Sequence, residues 1–309
     1  MPKILLTGGN GFLGSALLEQ PAFHDALVVG RTPPTLHLNF SPISLDNTSE
    51  YKEILSGIDI VVHVAARAHV MDERSDNPLD EYLNINTHAT LNLAKQAANE
   101  GVKRFIFISS IKVLGEQSVL GHPFNSTDHF NPQDPYSVSK VEAEIGLQKL
   151  MEETNMEVVI IRPPLVYGRG VRGNFAKLLK LAALPFPLPL GSINNSRSLV
   201  SIENLVDLIC ICLEHQKAKN QIFLVSDDHD LSTPELLSLI CRVGRYKNRS
   251  FKFPVWLLAL MLQCLGKVSI FEKLCGSMQV DITHTKTQLN WTPPFSPESC
   301  IENCWSDRL

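Results

Sequence analysis

The sequence predicts an α/β fold built on a doubly wound parallel sheet, with a smaller C-terminal lobe interleaved with it. Three observations carry this. Short β-branched runs alternate with helical patterns through the first half of the chain; the runs are apolar on both faces; and the alternation stops at Pro163-Pro164. Strands covered by helices on both sides bury both faces, and so lose the polar alternation of a one-sided sheet.

The first strand is expected over 4–6. Thr7-Gly8-Gly9-Asn10-Gly11-Phe12-Leu13-Gly14 follows at once and opens a helix over 11–19. Gly8, Gly11 and Gly14 give the spacing G-x-x-G-x-x-G. That spacing serves a tight turn, a bare backbone beside a pyrophosphate, and close helix–strand contact, while N–H groups at the helix start bind the phosphates. A glycine pattern alone is a weak signal; its place between strand and helix gives it weight. The second strand, over 26–29, ends at Gly30-Arg31, where a binder of NAD tends to carry Asp or Glu. With no carboxylate to repel it, a 2′-phosphate would find the Arg31 guanidinium nearby, so NADP(H) is favoured and NAD(H) stays open.

Further strands are expected over 60–64, 105–108 and 158–161, with a weaker candidate over 36–40; helices are expected over 49–55, 79–99 (closed by Gly101) and 136–153. After 161 the prolines at 163, 164, 185, 187 and 189 break the pattern, and one more strand, 222–225, returns to the sheet. Residues 1–168, with 199–225 returning to them, form the expected dinucleotide-binding domain. Residues 169–198 and 226–309 form the expected substrate lobe.

Bulk properties narrow the partners. Lys and Arg total 28 against 32 Asp and Glu, a net charge of -4, too mild to point to nucleic acid or an acidic membrane. The apolar run 255–265 is far short of the ~20 residues that span a bilayer and reads as a buried or partly interfacial helix. The start of the chain lacks an export segment, and the 7 cysteines show no metal-ligand spacing, so a cytoplasmic protein with no metal site is expected.

Tyr136-Ser137-Val138-Ser139-Lys140 carries the sharpest chemistry. Asp134-Pro135 is a natural helix entry, and it places Tyr136 and Lys140 one turn apart on one face. A phenol titrates near ~10; an ammonium alongside is expected to lower that value. Such a pair occurs on many helices. Ser109-Ser110, at the carboxyl edge of the 105–108 strand where open α/β sheets bind ligands, makes it specific. His63 lies inside a strand and reads as a satisfied core residue.

With these residues in place, the sequence resembles the extended short-chain dehydrogenase/reductases, and within them the sugar-nucleotide epimerase/dehydratase/reductase group. The likeness covers nearly the whole chain: the glycine motif, Val62-His63-Val64-Ala65-Ala66, Ser109-Ser110, Tyr136 with Lys140, Arg162-Pro163-Pro164-Leu165-Val166-Tyr167-Gly168, Arg197-Ser198-Leu199-Val200 and Leu289-Asn290-Trp291-Thr292-Pro293. It implies a Rossmann doubly wound sheet. It implies Ser110, Tyr136 and Lys140 as catalytic residues, and cofactor contacts from Gly8, Gly11, Phe12, Leu13, Gly14, Arg31, Ala65, Ala66 and Lys140. It implies substrate contacts from Arg197 and Asn174, and a homodimer formed through the helices at 79–99 and 136–153.

Departures select the reaction. The group's 4,6-dehydratases carry an acidic pair directly after the catalytic Ser or Thr; here Ile111 and Lys112 stand there, so water elimination lacks its acid and base. The segments 65–71 and 109–113 resemble bacterial UDP-N-acetylquinovosamine 4-reductases. The leading expectation is therefore hydride transfer from NADPH to C4 of a UDP-4-keto-6-deoxy-N-acetylhexosamine for bacterial surface polysaccharide (O-antigen) synthesis. A UDP-sugar 4-epimerase with bound NAD is the alternative. A non-catalytic NADP(H)-binding sensor is the alternative of another class, and the intact Ser110, Tyr136 and Lys140 set argues against it.

Overall fold

The computed structural model describes every residue except 36, 38, 69–76, 172 and 306–309. Its centre is a seven-stranded, wholly parallel sheet: β1 (Ile4–Thr7), β2 (Leu27–Val29), β3 (Phe40–Ser41), β4 (Ile60–His63), β5 (Arg104–Ile108), β6 (Glu157–Arg162) and, late in the chain, a returning strand Gln221–Leu224. The spatial order is β3-β2-β1-β4-β5-β6 and then the returning strand. The weak 36–40 candidate contributes only its last residue, Phe40; residues 36 and 38 lie outside the described residues.

Strand residues alternate between two cores, as a pleat of period two requires. Ile4, Leu6, Ile60, Val62, Ile106, Ile108, Val159 and Ile161 face one layer, with Leu13 and Leu17 of α1 (Phe12–Leu18). Leu5, Val61, Phe105, Phe107, Val158 and Ile160 face the other. That second layer is built from α2 (Lys52–Leu55), α4 (Ala89–Asn99) and α5 (Pro135–Glu153). Burial on both faces is why these strands read as unbroken apolar runs.

The helix expected over 79–99 is not one regular helix. It opens as α3 (Pro78–Tyr82), passes through a π-helical stretch, Leu83–His88, and continues as α4. Residues 162–168 also hold more than a sheet exit. β6 ends at Arg162, where Pro163 removes the next donor, and β7 (Leu165–Tyr167) pairs with β8 (Leu199–Ser201) in a separate two-stranded parallel sheet. Between them lies α6 (Gly173–Ala182); α7 (Ile202–Glu214) leads back to β9 (Gln221–Leu224) and covers the first layer beside α1.

After β9 come α8 (Thr233–Val243), α9 (Val255–Cys264), α10 (Val268–Cys275), α11 (Thr283–Leu289) and α12 (Pro297–Asn303). A third core joins Tyr167, Phe175, Leu179, Leu237, Ile240 and Ile301. Of the two expectations for the 255–265 helix, burial does not hold: of α9 only Leu258 is buried, and Trp256 is 70% exposed. Among the described residues no helix is long and apolar enough to cross a membrane.

Candidate active site

The carboxyl ends of β1, β4 and β5 meet where the strand order reverses, between β1 and β4, the edge at which open α/β sheets bind ligands. The glycine loop sits there. Gly8 adopts φ +76, and a Cβ on it would lie 2.7 Å from the Ala65 nitrogen; a Cβ on Gly14 would lie 2.1 Å from the Gly8 oxygen. These two glycines are forced by backbone packing. A Cβ on Gly11 would meet only the Gly8 oxygen, at 3.1 Å, so this position keeps the surface above the loop bare. The residues present thus fit a dinucleotide diphosphate: a bare loop leading into α1, with Leu13 buried so that only its backbone is on offer. Arg31 is exposed just beyond β2.

A buried relay fixes the Ala65 side of this cleft. The Val64 and Ala65 N–H groups both donate to Thr7 Oγ1 at 3.2 Å. Thr7 in turn meets His63 Nδ1 at 2.9 Å, His63 Nε2 meets Thr90 Oγ1 at 2.9 Å, and Thr90 donates to the Asn86 carbonyl at 2.8 Å. Because the Thr90 proton goes to Asn86, His63 Nε2 must be the donor and Nδ1 the acceptor, which is the neutral ring. Burial, with Lys140 adding to it, pushes His63 down to about 3. His63 is a satisfied core residue, as its position in a strand suggests.

Asn86 extends the relay to α5. Its Oδ1 accepts the Arg67 N–H at 2.7 Å, and its Nδ2 donates to the Arg67 carbonyl at 3.1 Å and to Ser139 Oγ at 2.9 Å. Asn86 lies in the π-helical stretch and is fully buried. This residue was missed by sequence reasoning, since a lone Asn in a helical run gives no signal.

α5 starts with a capping box in which Asp134 accepts the Ser137 N–H at 2.6 Å. Tyr136 follows in the first turn, its ring edge-on to Tyr82 at 6.2 Å between centroids. Burial pushes the Tyr136 phenol up to about 12, against an opposing hydrogen bond with Ser110. Lys140 is buried one turn on; its Nζ donates to the Ile108 carbonyl at 2.8 Å and lies 4.4 Å from the Phe107 ring centroid. Burial brings its amine down to about 7, with Glu144 pulling the other way. The expected lowering of Tyr136 by Lys140 is therefore not what this arrangement gives: both groups are dominated by loss of water.

The serine pair is split. Ser110 caps a 3-10 turn, Ile111–Val113, and accepts the Lys112 N–H at 3.3 Å. Ser109 instead donates to Glu144, whose carboxylate takes Arg162 Nη2 at 2.6 Å in a fully buried pair. Glu144 did have a signal: with Tyr136 and Lys140 it repeats every fourth residue along one face of α5. Lys112 pairs with Asp134 at 2.6 Å and Glu116 at 2.9 Å, tying the Ser110 turn to the start of α5. Lys112 is raised although burial opposes it; the two carboxylates outweigh that opposition.

The catalytic and cofactor residues read from the sequence are thus gathered at one sheet edge. Arg197 and Asn174 belong to the other half. Arg197 runs into β8, bridged to Leu231 and Met278, and its Nη1 donates to the carbonyls of Lys273 and Gly276, both at 3.0 Å. Asn174 is exposed in the first turn of α6. His69 and the 71–74 run lie outside the described residues. Among the described residues no group of His, Cys, Asp and Glu is placed to hold a metal ion.

Residues 4–226 match the model of the NAD dependent epimerase/dehydratase family. The chain belongs to that family. Within the epimerase/dehydratase family, it is 47% identical over 301 residues, 95% of this chain and 92% of that protein, to a UDP-glucose 4-epimerase of Vibrio cholerae. It is 27% identical, over 91% of this chain and 88% of that protein, to an N-acetyl-alpha-D-glucosaminyl-diphospho-ditrans,octacis-undecaprenol 4-epimerase of Escherichia coli O157:H7. The fold is that of UDP-glucuronic acid 4-epimerase from Bacillus cereus solved with NAD, at TM-score 0.75 and 22% identity, covering 98% of this chain and 95% of that one.

Proposed function

We propose that this enzyme is a UDP-sugar 4-epimerase in which Tyr136 moves the proton of the C4 hydroxyl. The observation that carries the reading is the meeting of Ser110, Tyr136 and Lys140 at the sheet edge beside the glycine loop. The 47% identity to a UDP-glucose 4-epimerase supports the substrate class. Lys112 supports the exclusion of dehydratase chemistry: the position after Ile111 holds a cation, and that cation is engaged by Asp134 and Glu116.

Gly8, Gly11, Phe12, Leu13, Gly14, Ala65, Ala66 and Lys140 would hold the dinucleotide. The nicotinamide, when bound, supplies hydride exchange at C4 and, oxidised, a positive charge. Tyr136 takes the hydroxyl proton as C4 is oxidised and returns it when C4 is reduced on the opposite face. Ser110 donates to the same oxygen and fixes its position. At about 12 the Tyr136 phenol of the ligand-free protein holds its proton at neutral pH; cationic charge brought beside it is what readies it as a base. In this scheme residues 169–198 and 226–309, with Asn174 and Arg197, bind the nucleotide sugar.

Arg31 favours a second reading. A guanidinium after β2, with Gly30 in place of a carboxylate, suits a 2′-phosphate, and so an NADPH-dependent 4-reductase of a UDP-4-keto-6-deoxy-N-acetylhexosamine. One experiment separates the two. Purified protein is given UDP-glucose or UDP-N-acetylglucosamine with NAD, and in parallel the 4-keto sugar with NADPH. Appearance of the C4 epimer without net cofactor turnover supports the epimerase; one-for-one NADPH loss with a 4-hydroxy product overturns it. Tyr136→Phe should lower turnover by roughly 100-fold or more while leaving dinucleotide binding, read by calorimetry, intact.

A further inference from the structure

A helix that is apolar on every side belongs in a core or in lipid. α9 has the sequence VWLLALMLQC, without a charge, yet it buries only Leu258. Its inner side, Val255 and Leu262 included, packs on the third core. Trp256, Leu260 and Cys264 recur every fourth residue and are exposed together. The exposed apolar surface continues through Leu265 at the end of α9 to Val268 and Ile270 of α10. The turn between the helices is well formed: Gly266 at φ +67 closes α9, with Lys267 N–H bonded to the Leu262 carbonyl at 2.7 Å and Gly266 N–H to that of Gln263 at 3.0 Å. At the foot of α9, Phe251 N–H donates to the Leu188 carbonyl at 3.0 Å, which brings exposed Phe186 and Phe251 into neighbouring segments.

Charge is the second observation. Between 245 and 273 the chain carries six exposed cations, Arg245, Lys247, Arg249, Lys252, Lys267 and Lys273, against one acid, Glu272, although its net charge is -4. The overall balance conceals this cluster. Exposed apolar side chains with a tryptophan among them, flanked in the chain by like-sign cations, are what an anionic bilayer surface binds. A second copy of the chain suits the patch less well: across a two-fold axis the same cations would face each other.

We propose that the α9–α10 hairpin docks on an anionic lipid bilayer, with α9 lying in the headgroup plane, Trp256, Leu260 and Leu265 entering the acyl boundary and the flanking cations on lipid phosphates. With 10 residues α9 lies on the membrane and does not span it.

The test is flotation with phosphatidylcholine vesicles, with and without phosphatidylglycerol, at low and high salt. The protein should float only with phosphatidylglycerol, and salt should release it. Trp256→Glu with Leu260→Glu should weaken binding by about tenfold or more; so should Lys247→Glu with Lys252→Glu, a pair of exposed side chains. Trp291 and Trp305 are only 3% and 9% exposed, so a blue shift of emission on adding vesicles reports Trp256 and should vanish in Trp256→Phe. No flotation by an active enzyme, or flotation that both variant pairs leave unchanged, overturns the proposal. A blue shift that follows protein concentration without vesicles, with dimers in sedimentation, overturns it in favour of a second copy.

Discussion

Lys140 is an amine buried in the fold. Its Nζ donates to the Ile108 carbonyl, and burial lowers its amine from 10.5 to about 7. The unfolded chain keeps that proton up to the ordinary lysine value, so between about 7 and 10.5 the unfolded state binds more protons and rising pH stabilises the fold. Lys140→Met removes this term. Urea unfolding across that window should show the wild type gaining stability on the variant as pH rises, with a constant difference below about 7. His63 has the same sign at lower pH. It stays neutral in the fold down to about 3, while the unfolded ring titrates near 6.5, so stability is lost as pH falls through that interval. His63→Gln, which can still donate and accept, should flatten the acid limb of the melting profile. At this scale the sequence was legible where the partners are near in the chain: Tyr136 and Lys140 lie one turn apart, and the glycine loop sits directly between its strand and its helix. It was not legible where they meet by folding, as with Asn86 and Ser139, 53 positions apart, or Lys112 and Asp134, 22 apart.

The glycine loop shows how an element transmits a single atom. The Gly14 backbone presses on that of Gly8, and Gly8 on Ala65, so three segments are seated by two missing side chains. A methyl on Gly14 would strike backbone, which cannot turn aside. Gly14→Ala should therefore destabilise the protein by about 1–3 kcal/mol and weaken NAD binding in calorimetry more than tenfold. Gly30→Ala is the control: a Cβ there meets nothing within 4 Å, and stability should stay within about 0.5 kcal/mol. Unchanged cofactor affinity in Gly14→Ala would mean that the loop can reseat itself. Strands were legible because both faces are buried. The β7–β8 sheet was not, since each strand is three residues long and prolines precede the first. For α9 the sequence left a buried and a partly interfacial helix open, because apolarity alone does not say which non-aqueous surface a helix meets.

The whole molecule is joined across its two sheets by one buried polar hub. Asp227, just after β9, accepts the Tyr167 hydroxyl at 2.7 Å, the Ser201 N–H at 2.8 Å and Asn204 Nδ2 at 2.7 Å. Burial raises its carboxyl, and those three donors oppose the rise. Asn204 then reaches the C-terminal segment: its Nδ2 donates to the Phe295 carbonyl at 2.9 Å, and its Oδ1 accepts the Phe295 N–H at 3.0 Å. One fully buried side chain thus satisfies both backbone groups of Phe295 and one oxygen of Asp227. Beyond Phe295 the chain enters α12, whose Ile301 lies in the third core together with α8. Asn204→Leu keeps the volume, removes both side-chain partners of the Phe295 backbone and leaves Asp227 Oδ1 with the Ser201 N–H alone, which should cost roughly 2–4 kcal/mol. The loss should be local. Amides of residues 295–304 and of α8 should exchange faster with deuterium, and KM for the nucleotide sugar should rise, while NAD affinity and protection of β1, β4 and β5 stay as they were. Exchange that rises evenly across the seven-stranded sheet would show that the hub stabilises the chain as one cooperative unit, and the substrate-binding role given to residues 226–309 would lose this support.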